Sequence, residues 1–334
     1  MRNPLPLGEL GTAPVRRRRR LRDLRHVPIL PSMITLGNLF FGFLAMAKVA
    51  DAVMLSAAGQ PHPVFGPEVV HIFEVAALLV FLAMVFDALD GTVARLTNQA
   101  TPFGAQLDSL SDVVTFGVAP AYLTKVLIEF HSREPLAWLP YQPRLYYFCA
   151  AVYALCAAMR LARFNVESSG PSPEDHKEFK GLPSPAAAAV VCALVAFVCA
   201  PAGPQELSSA LLPPDTKRHI VQALPAVLVV LGLLMVSRFP FPHLIATLTA
   251  GRHSFPFLAT LVVLVGLAAI EWQVTLAALT VLYVAYGLGL GAVRLLTTGR
   301  FQRASAGADD DGGEADDDDD DAPPPAPIGR ARLN

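Results

Sequence analysis

Apolar runs long enough to cross a bilayer recur along most of this chain, and they leave it few folds to choose from. In hydrocarbon every backbone N–H and C=O needs a partner within the protein, so only helices or a closed barrel can span. The runs are continuous rather than alternating, which selects helices. They predict an all-α polytopic membrane bundle of about eight transmembrane helices, near residues 33–54, 70–95, 103–130, 145–165, 183–201, 219–236, 255–270 and 273–296. The seventh is short for a span and only Glu271-Trp272 separates it from the eighth, so six or seven spans are the alternative counts. A chain that is 53% hydrophobic and 16% charged, with a mean hydropathy of +0.46, agrees with this class and not with a soluble domain.

Charge divides the chain into three parts: a basic segment 1–29, a membrane domain 30–298 and an acidic, proline-rich tail 299–334. Arg16 to Arg20, Arg22 and Arg25 precede the first helix, and the loop 55–69 has no Lys or Arg. Arg95, Arg160, Arg163, Lys177, Lys180, Arg238, Arg252, Arg294, Arg300 and Arg303 fall on the side of the basic segment; Arg133, Arg144, Lys217 and Arg218 fall on the other. The excess of positive charge on one side predicts an inner-membrane protein with both termini cytoplasmic. The arginine run itself suits topology and anionic headgroups, and nothing near it points to nucleic acid. The tail, with Asp309–Asp311, Glu314 and Asp316–Asp321, repels itself and is expected to stay solvated and disordered. Cys149, Cys156, Cys192 and Cys199 lack metal-ligand spacing and read as small packing residues.

Against this background four aspartates stand out. The chain runs Asp87-Ala-Leu-Asp90-Gly91-Thr-Val-Ala94-Arg95, then eight residues, then Gly104-Ala-Gln-Leu-Asp108-Ser-Leu-Ser-Asp112. A carboxylate at membrane depth costs about 2.5–3.5 kcal/mol even on lenient insertion scales, so such residues are functional candidates. Asp87 and Asp90 share one helix face with Gly91 and Ala94 a turn further on, and Gly104, Asp108 and Asp112 form a stripe stepping by four. Thr97-Asn98 is expected to end the first of these helices and Thr101-Pro102 to cap the second. The result is a helical hairpin, opening to the cytoplasm, with four carboxylates face to face. Such a cluster calls for cations, and hard divalent ions with oxygen ligands are the natural partners; magnesium usually shares its shell with substrate phosphates.

The pattern Asp87-x2-Asp90-Gly91-x2-Ala94-Arg95-x8-Gly104-x3-Asp108-x3-Asp112 resembles the full signature of the CDP-alcohol phosphotransferase family, with no departure in residue or spacing. The resemblance implies that Asp87, Asp90 and Asp108 hold Mg2+ or Mn2+, two ions, that grip the diphosphate of a CDP-linked lipid. It implies that Asp112 is the general base on the incoming alcohol and also a metal ligand. Gly91 and Ala94 would leave room for cytidine, Arg95 would pair with phosphate, and Gly104 completes the frame. A homodimer is the assembly the family implies.

Flanking segments bear on the acceptor. The first helix carries Thr35-Leu36-Gly37-Asn38, and the fourth is followed by Arg160-Leu-Ala-Arg163-Phe164-Asn165 and Phe179-Lys180-Gly181-Leu182-Pro183-Ser184-Pro185. These resemble the membrane-embedded phosphatidylserine synthases of that family and imply CDP-diacylglycerol and L-serine as substrates. Glycerol phosphate, inositol phosphate or choline are the alternative acceptors. Thr35, Asn38, Arg160 and Arg163 are substrate-site candidates. Arg160 and Arg163 equally suit topology anchors, capping would account for Thr35, and a buried Asn38 amide needs partners whatever its role. Outside the family, a divalent-cation transporter would spread acidic groups through the membrane and show matched broken helices. An aspartate-rich prenyl transferase would lack the Gly91–Ala94–Arg95–Gly104 frame.

Overall fold

The computed structural model describes residues 29–57, 67–97, 101–131, 142–168, 181–200, 215–237, 241 and 255–308. The arginine run and the acidic residues from Asp309 on lie outside them, as do the side chains of Ala94 and Arg95, whereas the backbone of 299–308, part of the segment expected to be disordered, is described and helical. Every regular element among the described residues is helical. In chain order these are α1 (Ile29–Ala57), α2 (Pro67–Leu96), α3 (Pro102–Asp112), a π-helical turn (Val113–Val118), α4 (Ala119–His131), α5 (Pro143–Ser168), α6 (Ser184–Cys199), α7 (Thr216–Val236), α8 (Phe255–Ile270) and α9 (Trp272–Ala308). Residues up to Leu288 form one compact unit and those from Gly289 on a second. The first contains the aspartates.

All eight predicted helices are present, the third of them running from Pro102 to His131 through α3, the π-turn and α4. Six helices among the described residues are long and apolar enough to cross a membrane, the lower of the counts the sequence allows. The two that fall short have local stops. α6 holds 16 residues, about 24 Å at 1.5 Å each against a hydrocarbon core of about 30 Å. α8 ends at Glu271, which stays outside both α8 and α9. α1 begins earlier than expected, at Ile29, which places Thr35 in its second turn rather than at its cap.

Short as it is, α6 is largely enclosed by the bundle. Ala187, Ala188, Ala193 and Ala196 are fully buried in it. Between membrane helices there is no gain from leaving lipid for an apolar neighbour, so close packing of small side chains does the work. The alanine run Pro185-Ala-Ala-Ala-Ala supplies that surface. Glycines play the same part elsewhere: a Cβ on Gly37 would come within 2.6 Å of the Phe86 ring, and one on Gly232 within 3.3 Å of the Tyr153 backbone. These contacts join α1 to α2 and α5 to α7. Charge inside the bundle is paired where α4 needs it: Lys125 meets Glu129 at 2.7 Å and lies 4.0 Å over the Tyr147 ring.

The segment before α6 is tied to the end of α7. Gly181 takes φ +100°, and the Leu182 N–H donates to the Leu234 carbonyl at 3.0 Å, one of the acceptors that a helix end leaves open. A Cβ at Gly181 would sit 2.6 Å from the Met235 carbonyl oxygen, so glycine is required twice over, for its backbone angle and for its size.

Candidate functional site

The start of α3 sets the position of the acidic stripe. Thr101 is its N-cap with extended backbone and Pro102 follows in the first turn; the Gly104 N–H donates to Thr101 Oγ1 at 3.1 Å. Asp108 and Asp112 then follow one and two turns beyond Gly104. On the other arm α2 runs through Asp87 and Asp90 to Leu96 and turns at Thr97, whose N–H still reaches the Val93 carbonyl at 2.9 Å. Ending and capping both follow the sequence expectation.

The hairpin brings the four aspartates together. One carboxylate oxygen from each of Asp87, Asp90 and Asp108 falls within 4.8 Å of the others. Asp90 is 5% and Asp112 8% exposed, while Asp87 and Asp108 are half-buried. Asp112 stands beside this triad, its carboxyl group within hydrogen-bonding range of Asp87. The four carboxylates repel one another across the site. Asp90 Oδ2 and Asp108 Oδ1 are buried and find no hydrogen-bond partner among the described residues. Three converging carboxylate oxygens, two orphaned ones and mutual repulsion fit a hard divalent cation, whose shell is built of oxygens.

α1 closes the site from the side. Asn38 is fully buried and its Nδ2 donates to Asp112 Oδ1 at 3.1 Å. Thr115 Oγ1 donates to the Asn38 carbonyl at 3.3 Å, and Ser111 Oγ to the Thr35 carbonyl at 3.4 Å. The Thr35 hydroxyl donates to the Pro31 carbonyl at 3.1 Å and also faces Asp90. Gly42 permits this approach, since a Cβ there would sit 2.4 Å from Thr115 Oγ1. Asn38 Oδ1 is left buried without a partner among the described residues.

The remaining candidates lie as follows. Gly91 is exposed, and nothing lies within 4 Å of where its Cβ would be, so open space adjoins Asp90. Ala94 and Arg95 belong to the last turns of α2. Arg160 lies on α5, within electrostatic reach of Tyr283 of α9 and of Arg163. Two residues beyond Arg163, Asn165 exchanges hydrogen bonds with Ser109 of α3 at 3.0 and 3.1 Å. That pair fastens the end of α5 to the stripe carrying Asp108.

Several contributors were missed by sequence reasoning. Ser109, Ser111 and Thr115 stand between or just after the aspartates, where spacing alone gave them no role. The π-turn after Asp112 lies just ahead of a proline. In an α-helix the Phe116 carbonyl would accept from the N–H of residue 120, and residue 120 is proline. The Tyr153 hydroxyl of α5 takes that place at 3.1 Å.

Proteins of similar sequence include CDP-diacylglycerol–serine O-phosphatidyltransferases from several organisms. The chain is 38% identical over 164 residues to the CDP-diacylglycerol–serine O-phosphatidyltransferase of Methanocaldococcus jannaschii, covering 49% of this chain and 62% of that protein. It is 28% identical over 220 residues to the Helicobacter pylori enzyme of the same name, with 64% and 72% covered. With the Saccharomyces cerevisiae enzyme it shares 36% identity over 166 residues, 47% of this chain and 50% of that one. The match thus spans less than two thirds of the archaeal and yeast relatives. The family model for CDP-alcohol phosphatidyltransferase matches residues 28–234, and with well over half of its length matched the chain belongs to that family.

Proposed function

We propose that this protein is an integral membrane transferase that moves the phosphatidyl group from CDP-diacylglycerol to the hydroxyl of L-serine, giving phosphatidylserine and CMP. The observation that carries the proposal is the convergence of Asp87, Asp90 and Asp108 within 4.8 Å, with Asp112 beside them and held by Asn38. Asp87, Asp90 and Asp108, with Asp112 at the edge, would hold two Mg2+ or Mn2+ ions. Bound there, the ions would supply Lewis-acid polarisation of the diphosphate and neutralise the carboxylates.

The protein's own groups do the rest. Asp112 takes the proton from the acceptor hydroxyl; the new O–P bond forms as the bond to the CMP oxygen breaks, and CMP leaves with that electron pair. Asn38 holds the Asp112 carboxylate in one orientation. The open space at Gly91, together with Ala94, admits the cytidine, and Arg95 pairs with phosphate. Arg160 and Arg163 serve the serine carboxylate or a lipid phosphate. In phosphoryl transfer positioning and charge neutralisation supply most of the rate, and these groups provide positioning.

Serine is supported by the activity for which the relatives are named and by the Asn38, Arg160–Asn165 and Gly181–Pro185 segments. The asymmetry of Lys and Arg supports an inner-membrane protein whose site faces the cytoplasm, where serine is available. A homodimer is the assembly we expect. The gathering of all four aspartates on one hairpin favours a transferase over a cation path through the membrane. The test is CMP release by purified protein with CDP-diacylglycerol, a divalent metal, and serine, glycerol phosphate, inositol phosphate or choline in turn. Release with serine is expected. Release with another acceptor in its place refutes the assignment of serine.

A further inference from the structure

The π-turn joins two anchored helices. On its far side α4 is fixed by Leu123, Leu127 and Phe130, all buried in the core. On its near side α3 is laced to α1 through Ser111 and Asp112, and the turn itself through Thr115. Within the turn the Ala119 N–H bonds the Val114 carbonyl, five residues back, in place of the α-helical partner. Slipping this wide turn back to α-helix would remove one residue of phase, a rotation of about 100° at 3.6 residues per turn. With α4 held by the core, that rotation would fall on Asp108 and Asp112.

What keeps the turn wide is its carbonyl partner from another helix. Pro120 cannot donate to Phe116, and the Tyr153 hydroxyl does so from α5 at 3.1 Å. Tyr153 is fully buried, so this hydroxyl has a structural need for an acceptor, and the Phe116 carbonyl has a need for a donor. We infer that Tyr153 is a positioning residue for Asp112: through the Phe116 carbonyl it holds the π-turn, whose Thr115 hydroxyl bonds the Asn38 carbonyl while the Asn38 side chain bonds Asp112 at the turn's near end. The inference rests on the reading of Asp112 as the base.

The test uses the full chain in lipid vesicles with three variants, Tyr153→Phe, Pro120→Ala and Asp112→Asn. Tyr153→Phe is expected to lower kcat by about tenfold, as loss of an outer-shell support commonly does, with KM for CDP-diacylglycerol and serine within about twofold of the parent. Pro120→Ala restores a backbone donor for Phe116 and draws the turn towards α-helix; it should also lower kcat while the melting midpoint holds or rises. A merely structural tyrosine would give the opposite pattern. Unchanged kcat in both variants, or a loss of rate matched by loss of folded protein, overturns the inference. If Asp112→Asn is inactive and Tyr153→Phe has the parent kcat, the positioning role alone is wrong. If Asp112→Asn keeps its rate, the reading of the base is wrong and the inference goes with it.

Discussion

Asn38 and Asp112 lie 74 residues apart in the chain and meet at 3.1 Å, the Asn38 amide donating to one oxygen of a carboxylate that three other aspartates surround. The amide occupies one oxygen of Asp112, and on the proposed reading of Asp112 as the base it leaves the other to receive the proton. It also ties α1 to the acidic hairpin.

Asn38→Ala should therefore lower kcat by about 10- to 100-fold while leaving the KM for CDP-diacylglycerol nearly unchanged, since the support lost acts on the carboxylate and not on the lipid. Steady-state CMP release at varied lipid concentration reads both quantities. A rise in KM with unchanged kcat would make Asn38 a lipid-binding residue.

Two glycines near the site should respond in opposite ways to the same methyl group. In Gly42→Ala the new Cβ meets Thr115 Oγ1 at 2.4 Å, and the crowding should cost about 1–3 kcal/mol of stability. Gly91→Ala meets nothing within 4 Å and should keep or improve the melting midpoint. Its effect should fall on the KM for the CDP-lipid, because the methyl enters the space assigned to the nucleotide. Thermal melting and kinetics of the pair separate the two predictions.

Gly181→Ala is expected to destabilise the protein through the backbone. A left-handed residue with a Cβ costs roughly 1–2 kcal/mol, and the carbonyl of Met235 at 2.6 Å cannot move aside without disturbing the end of α7. Melting in detergent should show a clear drop, larger than that for Gly91→Ala.

The metal reading makes its own demand. Chelation should abolish CMP release and Mg2+ or Mn2+ should restore it. Asp108→Asn should raise the metal concentration for half-maximal rate by at least about tenfold, because the site loses one of three convergent charged oxygens. Activity that survives chelation, or a variant with the parent's metal dependence, would contradict it.

The sequence made the bundle and the hairpin legible for definite physical reasons. Continuous apolar runs locate helices, and a capping threonine before a proline locates the start of α3 to the residue. Aspartates spaced by three and four must share a face, so their meeting could be foreseen. The resemblance of their pattern then named the family. Less was legible where a feature depends on a distant partner. Nothing local marks Tyr153 as the donor to Phe116, and Pro120 alone reads as a helix breaker rather than as a residue that frees the Phe116 carbonyl for it. Ser109 gave no sign of reaching Asn165, because a serine on a membrane helix most often bonds its own backbone; here it does that too, to the Ala105 carbonyl at 3.0 Å. The short α6 read as a span because composition reports burial without saying whether lipid or protein does the burying.

On the proposed mechanism Asp112 serves the chemical step and not substrate binding. The direct measurement compares Asp112→Asn with the parent protein in vesicles, following labelled serine into lipid together with the binding of CDP-diacylglycerol. The expected result is loss of serine incorporation by at least about 100-fold, within the range for a general base, with lipid affinity retained. Incorporation near the parent rate, or lipid binding lost in step with turnover, would contradict the account.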